Sequence, residues 1–380
     1  MNFYDIQGRK REKAFFRKWG DSGRSFETGK GCKNFIEQVT DKTIYIRTRR
    51  SKQPIAISRT NLRKACGFVM YKRTTTRKQL EHFHHFSSAL MGLLRMIFMD
   101  ISRFTKTVRG LLRLSIRGTR WFCAGADRAP ADMQLAKLYG NGFLLMSYWM
   151  LRDDTSKNWI RHLKKHQLPK ILLDSGAFSA FKASNSKPGL RPLDVVEYAQ
   201  FIKEHSEWIE NYFNLDVVQD PVQTDSNYRY LKSVGLNPIP VWQCNAGFEA
   251  LDSIINEDDH DFIGIGGTCF LTEKERLQLF DELFKRWPTY NFHALGVSDR
   301  YLFEYPWFSA DGTGCWNPRK WRTIPTVRGH VPLPDNWSWE EGVAYCLELF
   351  SELETNYSGQ IFYKLFLPPE LKRPVQLTLL

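Results

Sequence analysis

Polar residues and paired glycines follow a series of apolar, strand-length segments in the second two thirds of the chain. They are Asp174 in LLDSGAF, Asp216 in NLDVVQDP, Gln243 in PVWQ, Gly266 and Gly267 in GIGG, His293 in FHALGVSD and Asp311 in FSADGTGCW. A buried carboxylate at the end of an apolar strand is costly unless it is paired or used. Two convergent carboxylates such as Asp174 and Asp311 can exchange glycosidic bonds, one as nucleophile and the other as general acid and base.

Small residues adjoin both of these aspartates. Ser175 and Gly176 follow Asp174, and Gly312 and Thr313 follow Asp311, so a ligand can approach each carboxylate closely. A single Asp at such a position more commonly caps the following helix. The pair, taken with the other polar strand ends, favours catalysis.

Eight apolar segments of strand length recur from about residue 121, each followed by a polar, helix-like stretch. They begin at Trp121, Phe143, Lys170, Tyr212, Pro238, Phe262, Asn291 and Trp307. Between them, Leu193–Ile209 and Thr272–Phe284 carry apolar residues at helical spacing. Eight strands that alternate with helices over about 260 residues predict an α/β fold of the (β/α)8 TIM-barrel class. A doubly wound open sheet is the alternative, because spacing alone does not show closure.

The N-terminal third differs from the rest in charge. Residues 1–120 contain 28 basic and 8 acidic side chains, a net charge of +20, whereas residues 121–380 carry −7. The sequence predicts a strand at Thr43–Thr48, a helix after Ser58 or Thr60, a second helix from Thr75 and a third over Ser87–Phe104. We therefore predict a basic α+β accessory domain at 1–118, with nucleic acid as its partner, and a barrel at 119–380.

Composition and cysteine spacing exclude several other classes of protein. An apolar fraction of 42% and a charged fraction of 25% are ordinary for a globular protein and exclude a disordered or fibrous chain. The seven cysteines have no CxxC spacing, so neither a disulfide scaffold nor a Cys-rich zinc site is predicted. The N-terminus lacks the apolar region of a signal peptide, and Ser87–Met99 is too short to span a bilayer. These observations predict a cytoplasmic protein without a membrane partner.

Five of the strand-end motifs resemble, in order and spacing, those of the tRNA-guanine transglycosylases. The DSGAF run at 174–178 resembles their DSGGF/Y segment, PVWQ their GIVQGG strand, IGG at 265–267 their base-binding glycine turn, and HALG their HLLG strand. Asp311 occupies the place of their nucleophilic Asp. The resemblance covers about 121–380 and is closer still to the phage and bacterial members of this superfamily that act on DNA, the DNA-guanine transglycosylases.

The resemblance implies a role for each of these residues. Asp311 would attack C1′ of the target nucleotide and displace guanine, and Asp174 would serve as general acid and base while a 7-deazaguanine base of the preQ0 type enters. Asp216 and Gln243 would recognise the edge of the base. Gly266, Gly267 and His293 would complete the base-binding pocket, with Phe178 stacked on the base.

The sequence also departs from the tRNA enzymes. Their CxCxxC…H zinc site has no counterpart, because only Cys315 and Cys346 follow Asp311, so no cofactor or metal is expected. Their nucleophile motif is replaced by DGTGCW. Loss of the zinc subdomain favours DNA over tRNA, with the basic N-terminal segment supplying phosphate contacts. Arg319, Arg322 and Lys182 are candidate phosphate contacts near the site, although ordinary surface packing accounts equally well for the two arginines and a solvated loop accounts better for Lys182.

Three other functions remain open at this stage. The same chemistry could act on tRNA, in a bacterial or phage-infected cell as for DNA. The barrel could be catalytically inactive and only bind nucleic acid. Finally, the chain could be a glycosidase of small molecules or a phosphate-binding barrel enzyme, but it has no Gly-rich phosphate loop or paired-Glu motif. Proteins of DNA modification are possible partners of the DNA enzyme.

Overall fold

The main sheets of the two parts of the chain differ in the direction of their strands. The structure, a computed structural model, describes residues 3–19, 24–28, 31–49, 52–107, 110–187, 189–257, 260–326 and 329–357. Contacts between residues divide the chain into two units, Met1–Arg117 and Gly118–Leu380. Strands of the first unit pair antiparallel, and the eight-stranded sheet of the second is parallel throughout.

The N-terminal unit combines helices with two small sheets. Its elements are α1 (Phe3–Trp19), β1 (Arg24–Glu27), β2 (Lys33–Val39), β3 (Thr43–Thr48), β4 (Ile55–Ser58), α2 (Arg59–Lys72), β5 (Thr74–Thr76), α3 (Ser87–Ile97), β6 (Ser102–Lys106) and β7 (Leu112–Ile116). The sheet orders are β1-β2-β3-β4 and β5-β7-β6. Helices α1 and α2 pack at a glycine contact, since a Cβ on Gly8 would lie 2.4 Å from the backbone nitrogen of Gly67.

Local sequence explains most of these elements. Alternating burial in β3 places Ile44 and Ile46 inside, and the hydroxyl of Ser58 caps α2 by accepting from the backbone N–H of Thr60. The predicted helix from Thr75 is wrong: β-branched threonines at 74–76 form β5 and pair with β7. The third predicted helix ends earlier, at Ile97, and the following chain becomes β6.

The second unit alternates strands with helices. Its strands are β8 (Arg120–Ala124), β9 (Leu144–Ser147), β10 (Ile171–Asp174), β11 (Ile209–Tyr212), β12 (Val241–Gln243), β13 (Ile263–Gly266), β14 (Phe292–Ala294), β15 (Ser309–Gly312), β16 (Thr323–Thr326) and β17 (Gly329–Pro332). Its helices are α4 (Pro130–Tyr139), α5 (Tyr148–Leu151), α6 (Asn158–Lys165), α7 (Ala177–Ser186), α8 (Val195–Glu204), α9 (Pro221–Ser233), α10 (Phe248–Glu257), α11 (Glu273–Arg286), α12 (Tyr301–Glu304), α13 (Asn317–Trp321) and α14 (Trp339–Glu352).

The eight strands β8–β15 form a closed barrel. Neighbours in the sheet run in chain order, and β15 pairs with β8. The last gap, between β11 and β12, is bridged by Phe213 and Ile239: the N–H of Ile239 donates to Tyr212 O at 2.8 Å, and the N–H of Asn214 donates to Ile239 O at 2.9 Å. Closure confirms the predicted (β/α)8 barrel and excludes the open doubly wound sheet.

Apolar residues fill two layers of this barrel. The inner layer includes Leu172, Phe213, Val241, Phe262 and Phe308, and a larger layer lies between strands and helices. Two predicted boundaries are wrong: helix α8 ends at Glu204, and β11 begins at Ile209, so the segment with Asp216 is a loop after the strand. No helix among the described residues is long and apolar enough to cross a membrane.

Candidate active site

The predicted site residues lie at the carboxyl ends of the barrel strands, where the active sites of such barrels are found. Asp174 ends β10, Gln243 ends β12 and Gly266 ends β13. Asp311 is the third residue of β15, and Asp216 follows β11. Chain folding therefore brings to one end of the barrel residues that are up to 137 positions apart in the sequence.

Asp311 is held by donors on one of its two carboxylate oxygens. Its Oδ1 accepts the backbone N–H of Gly296 at 2.9 Å and lies 3.1 Å from His293 Nε2. Oδ2 has no hydrogen-bond partner among the described residues, and the side chain keeps 9% of its surface exposed. Asp311 thus has a fixed orientation and one free oxygen.

His293 positions Asp311 from inside the barrel. Its ring is fully buried among Phe122, Phe213 and Phe262, with Nδ1 2.8 Å from Ser309 Oγ. A neutral ring with its proton on Nε2 satisfies both contacts, since the Ser309 hydroxyl then donates to Nδ1. Both ring nitrogens are thus engaged inside the barrel, and a direct contact of His293 with a base stays a prediction.

Asp174 has the opposite environment. Its Oδ2 accepts the backbone N–H of Gly176 at 2.8 Å. Burial, and then the negative charges of Asp216 and Asp311, raise the pKa of Asp174 to about 8. Asp174 is therefore protonated at neutral pH, and the influence of the other two carboxylates shows that all three share one site.

Asp216 is bound by a hydroxyl that sequence reasoning did not assign. The Ser175 hydroxyl donates to Asp216 Oδ1 at 2.6 Å and also accepts the N–H of Ala177. Burial raises the pKa of Asp216, whereas the bond from Ser175 opposes that rise. The adjacent residues Asp174 and Ser175 therefore serve different carboxylates of one cluster.

A second group of predicted residues surrounds a cavity of about 500 Å³ beside β12 and β13. Gln243, Gly267 and Phe270 contribute to its lining, and Asp174 and Asp311 are not among the described residues that line it. Gly267 adopts φ +80°, where a side chain is unfavourable. Gly266 is buried, and a Cβ there would lie 3.0 Å from Val241 Cγ1. This cavity is therefore distinct from the carboxylate cluster, although Gln243 of its lining also ends a barrel strand.

The nitrogen and the oxygen of the Gln243 side-chain amide differ in their hydrogen bonding. Its Nε2 donates to Val217 O and to Thr224 Oγ1, whereas its Oε1 is buried without a hydrogen-bond partner among the described residues. A buried carbonyl without a donor is costly. Gln243 is therefore prepared to accept a hydrogen bond from a ligand.

Phe178 and Lys182 lie together on α7. Phe178 is 39% exposed and packs edge-on against Phe270 of the cavity lining, with ring centroids 6.1 Å apart. The Lys182 Nζ lies 4.3 Å from the centre of the Phe178 ring. The exposed aromatic pair offers a stacking surface at the rim, and Lys182 adds a positive charge to it.

Arg319 has a structural role. Its guanidinium forms two 2.8 Å hydrogen bonds with the carboxylate of Asp132, which is 2% exposed, and it lies over Trp316. This bidentate pair uses two of the five guanidinium donors, and a phosphate contact by Arg319 stays a prediction. Arg322 is exposed and donates one 3.3 Å bond to Trp337 O.

Sequence reasoning missed residues that hold or adjoin the carboxylates. Gly296 has φ +68°, and its N–H fixes Asp311. Ser147 ends β9 opposite Asp174, and its buried hydroxyl has no partner among the residues described here. Ser175 and Gly296 lie inside the DSGAF and HALG motifs, so their positions were visible in the sequence although their contacts were not.

No group of three or more metal-ligating side chains occurs among the described residues.

In comparisons with known proteins, no family model and no curated protein matches the chain. Among solved structures, similar chains include two single-substitution variants of the tryptophan synthase alpha subunit from the hyperthermophile Pyrococcus furiosus. Each is 14% identical, with a TM-score of 0.37 over 62% of this chain and 97% of that chain. A third variant is 13% identical with a TM-score of 0.36 over 64% and 98%.

Proposed function

We propose that this protein is an enzyme that exchanges guanine in DNA for a 7-deazaguanine base through a covalent intermediate on Asp311. One observation carries the proposal: a carboxyl group that is protonated at neutral pH, Asp174, shares a barrel mouth with a hydrogen-bonded carboxylate that keeps one oxygen free, Asp311. A double displacement at a sugar carbon requires one carboxyl group as the nucleophile and a second as the acid and base.

The first half of the reaction uses both groups at once. Asp311 Oδ2 attacks C1′ of the nucleotide as the bond from C1′ to N9 breaks, and Asp174 gives its proton to the departing guanine. The products are an ester between Asp311 and C1′, neutral guanine and the Asp174 carboxylate. The N–H of Gly296 and His293 hold the attacking carboxylate in one orientation.

The second half reverses these roles. Asp174 takes the N9 proton of the incoming 7-deazaguanine, N9 attacks C1′, and the ester bond breaks to restore the Asp311 carboxylate. Each half inverts C1′, so the sugar keeps its configuration overall. Charge and protons balance without a metal or a redox cofactor, and Asp174 returns to its protonated form.

Base recognition is assigned to the polar groups beside the carboxylates. Asp216 can accept from the N–H groups of a guanine edge, and the open Oε1 of Gln243 can accept one more. Phe178 and Phe270 offer the stacking face, and Gly267 lets the base approach the backbone. This combination of an aromatic face with few acceptors suits a planar base.

Two features favour DNA over tRNA. The motif resemblance is closer to the DNA enzymes, and the four ligands of the zinc site in the tRNA enzymes cannot be assembled after Asp311. Cys315, one of the two cysteines there, instead lies 3.3 Å from Cys123 within the barrel. The proposed setting is the cytoplasm of a bacterial or phage-infected cell, with other DNA-modification proteins as partners.

The test is a trapping assay with the purified full chain, without an incoming base. Guanine-containing DNA and, separately, tRNA are incubated with the protein, and denaturing electrophoresis detects a covalent adduct. We expect an adduct on DNA that disappears in Asp311→Ala. Asp252→Asn, an exposed change on α10, is the matched control and should form the adduct normally.

Three other results of this assay would each overturn part of the proposal. An adduct on tRNA alone keeps the chemistry and overturns the DNA assignment. An adduct that persists in Asp311→Ala overturns the nucleophile. A second assay adds a 7-deazaguanine base to the mixture and measures the release of guanine. If the protein binds DNA but forms no adduct and releases no guanine, the proposed enzymatic function is overturned and a binding protein is favoured.

A further inference from the structure

Four cations lie in one exposed stripe on α1. Arg9, Lys10, Lys13 and Arg17 are all exposed, and at about 100° per residue they fall within an arc of about 100°. We define these four residues as the cation stripe. From the first to the last, the stripe extends about 12 Å along the helix axis.

The acidic residues of α1, Asp5 and Glu12, contact α2. Glu12 is fully buried, and its two carboxylate oxygens accept hydrogen bonds from Arg59 and Arg63 of α2. Asp5 lies against α2 at Gly67, where an added Cβ would lie 2.7 Å from its Oδ1. The helix therefore presents its acids inward and its cations outward.

Some arginines of this unit outside the cation stripe are paired with acidic side chains. Arg11 pairs with Asp100 at 2.7 Å, and Arg47 pairs with Glu37 at 2.5 Å. No ion pair joins a stripe residue to any described acidic side chain. Since exposed cations in ordinary surfaces are commonly interspersed with acids, four unpaired ones in a row indicate a polyanionic partner.

We infer that the cation stripe of α1 binds the phosphate backbone of DNA. Charge complementarity supplies the attraction, and the length of the stripe matches three or four phosphates at about 3.4 Å per phosphate along one strand. The choice of DNA as the polyanion rests on the proposed function, and the stripe itself rests on the geometry of α1. Its contacts with phosphate are independent of base sequence.

An anionic membrane is the competing partner, and α1 is poorly suited to it. A helix that lies in a membrane surface needs an apolar face to insert. The large apolar residues Phe15 and Phe16 are each 7% exposed. Among the large apolar side chains of α1 that the structure describes, those that are exposed are Phe3 and Ile6, near the start of the helix.

The test measures the affinity of the full chain for a duplex DNA as a function of salt. The test variant replaces all four stripe residues by Gln, which keeps helix propensity. The matched control removes the same charge from exposed positions on the barrel helices α6, α8 and α11. It combines Lys165→Gln, Lys203→Gln, Lys274→Gln and Lys285→Gln. Circular dichroism and thermal unfolding should be unchanged in both variants.

We expect the stripe variant to lower the slope of log affinity against log salt by about 3 to 4. At about 0.1 M salt its affinity should fall about 100-fold or more, and that of the control less than about threefold. Equal behaviour of the two variants overturns the inference. So does a stripe variant that loses binding to phosphatidylserine vesicles but keeps its affinity for DNA.

The two proposals fail separately. If the stripe variant loses DNA binding while the wild-type protein forms no adduct, the inference holds and the transglycosylase function fails. If the stripe variant binds DNA normally and the wild type forms the adduct, the function holds and the inference fails.

Discussion

The two sides of the barrel mouth provide different surroundings for an aspartate side chain. On the β14–β15 side, Asp311 receives a backbone N–H and a histidine nitrogen on one oxygen. On the β10–β11 side, Asp174 receives the N–H of Gly176, and the negative charge of Asp216 acts on it. Asp311 thus has two donors on one oxygen, whereas burial and then nearby negative charge raise the pKa of Asp174.

The difference shows that local donors and charges, not residue type, decide the role of each carboxyl group. Burial alone disfavours the ionised form of any carboxyl group, and donors or opposite charges offset that cost. Two aspartates with separated protonation states can act as acid and nucleophile within one site. The following predictions test this contrast between the two sides, beginning with the largest effect.

Replacement of Asp174 by Asn should slow adduct formation by about 10²- to 10⁴-fold, because Asn cannot protonate the departing guanine. Single-turnover kinetics on DNA measure this rate. The matched comparison is Asp252→Asn, an exposed change on α10, which should retain the full rate. Equal rates in Asp174→Asn and the wild-type protein would remove Asp174 from the role of the acid.

Replacement of His293 by Leu should lower the rate of exchange about 10- to 100-fold, with little change in KM, because Asp311 loses a positioning partner. His293→Gln, which can still donate toward Asp311, should restore part of the rate. The kcat and KM values of both variants check this. A large rise in KM in His293→Leu would instead return His293 to the base-binding group.

Adduct formation should decline as the pH rises through about 8, where Asp174 loses its proton. Asp216→Asn removes a negative charge that raises the pKa of Asp174, so the inflection should move to lower pH. Rate against pH for both proteins measures the shift. An inflection that stays in place after this change would remove Asp216 from the cause of the shift.

The same proton affects stability. The folded protein holds the Asp174 proton up to about pH 8, whereas an unfolded chain releases it near pH 4. The folded state therefore binds more protons in this interval, and the free energy of unfolding should fall as the pH rises through it. Asp174→Asn should flatten this part of the curve in denaturant titrations.

Gly296→Ala should have the smallest effect. The position has φ +68°, but an added Cβ meets nothing within 4 Å, so the cost is about 1 kcal/mol of backbone strain. Because the backbone N–H to Asp311 is retained, the exchange rate should change less than about threefold. Thermal unfolding and single-turnover rates measure the two effects, and a large loss of rate would indicate that the Gly296 turn itself contacts substrate.

Strand positions in the second unit were readable from local patterns. Apolar segments begin close to seven of the eight barrel strands, and Ile209–Tyr212 is displaced toward the N-terminus of its predicted segment. The helix predicted from Thr75 was wrong because pairing with β7 outweighed the charged, helix-like sequence that follows. Local composition cannot reveal such a partner, since β7 lies about 40 residues away.

For the site, residue types were predictable and partners were not. The motifs identified Asp174 and Asp311, but nothing in them shows that Ser175 bonds Asp216 or that Asp132 occupies Arg319. An Arg next to tryptophans in a polar part of the sequence is typical of a nucleic-acid contact. Only the distance to a buried carboxylate, 187 residues away in the chain, shows its structural role.

The sequence by itself determined the alternation of strands and helices, the polar ends of the strands and the contrast in charge between the two units. Each of these is a local property of side chains and their spacing. Tertiary structure alone decided barrel closure through Phe213 and Ile239, the position of His293 beneath Asp311 and the protonation of Asp174. These features depend on which groups, distant in the sequence, lie close together in a buried space of low dielectric constant. The order of residues in the sequence does not give the distances between such groups.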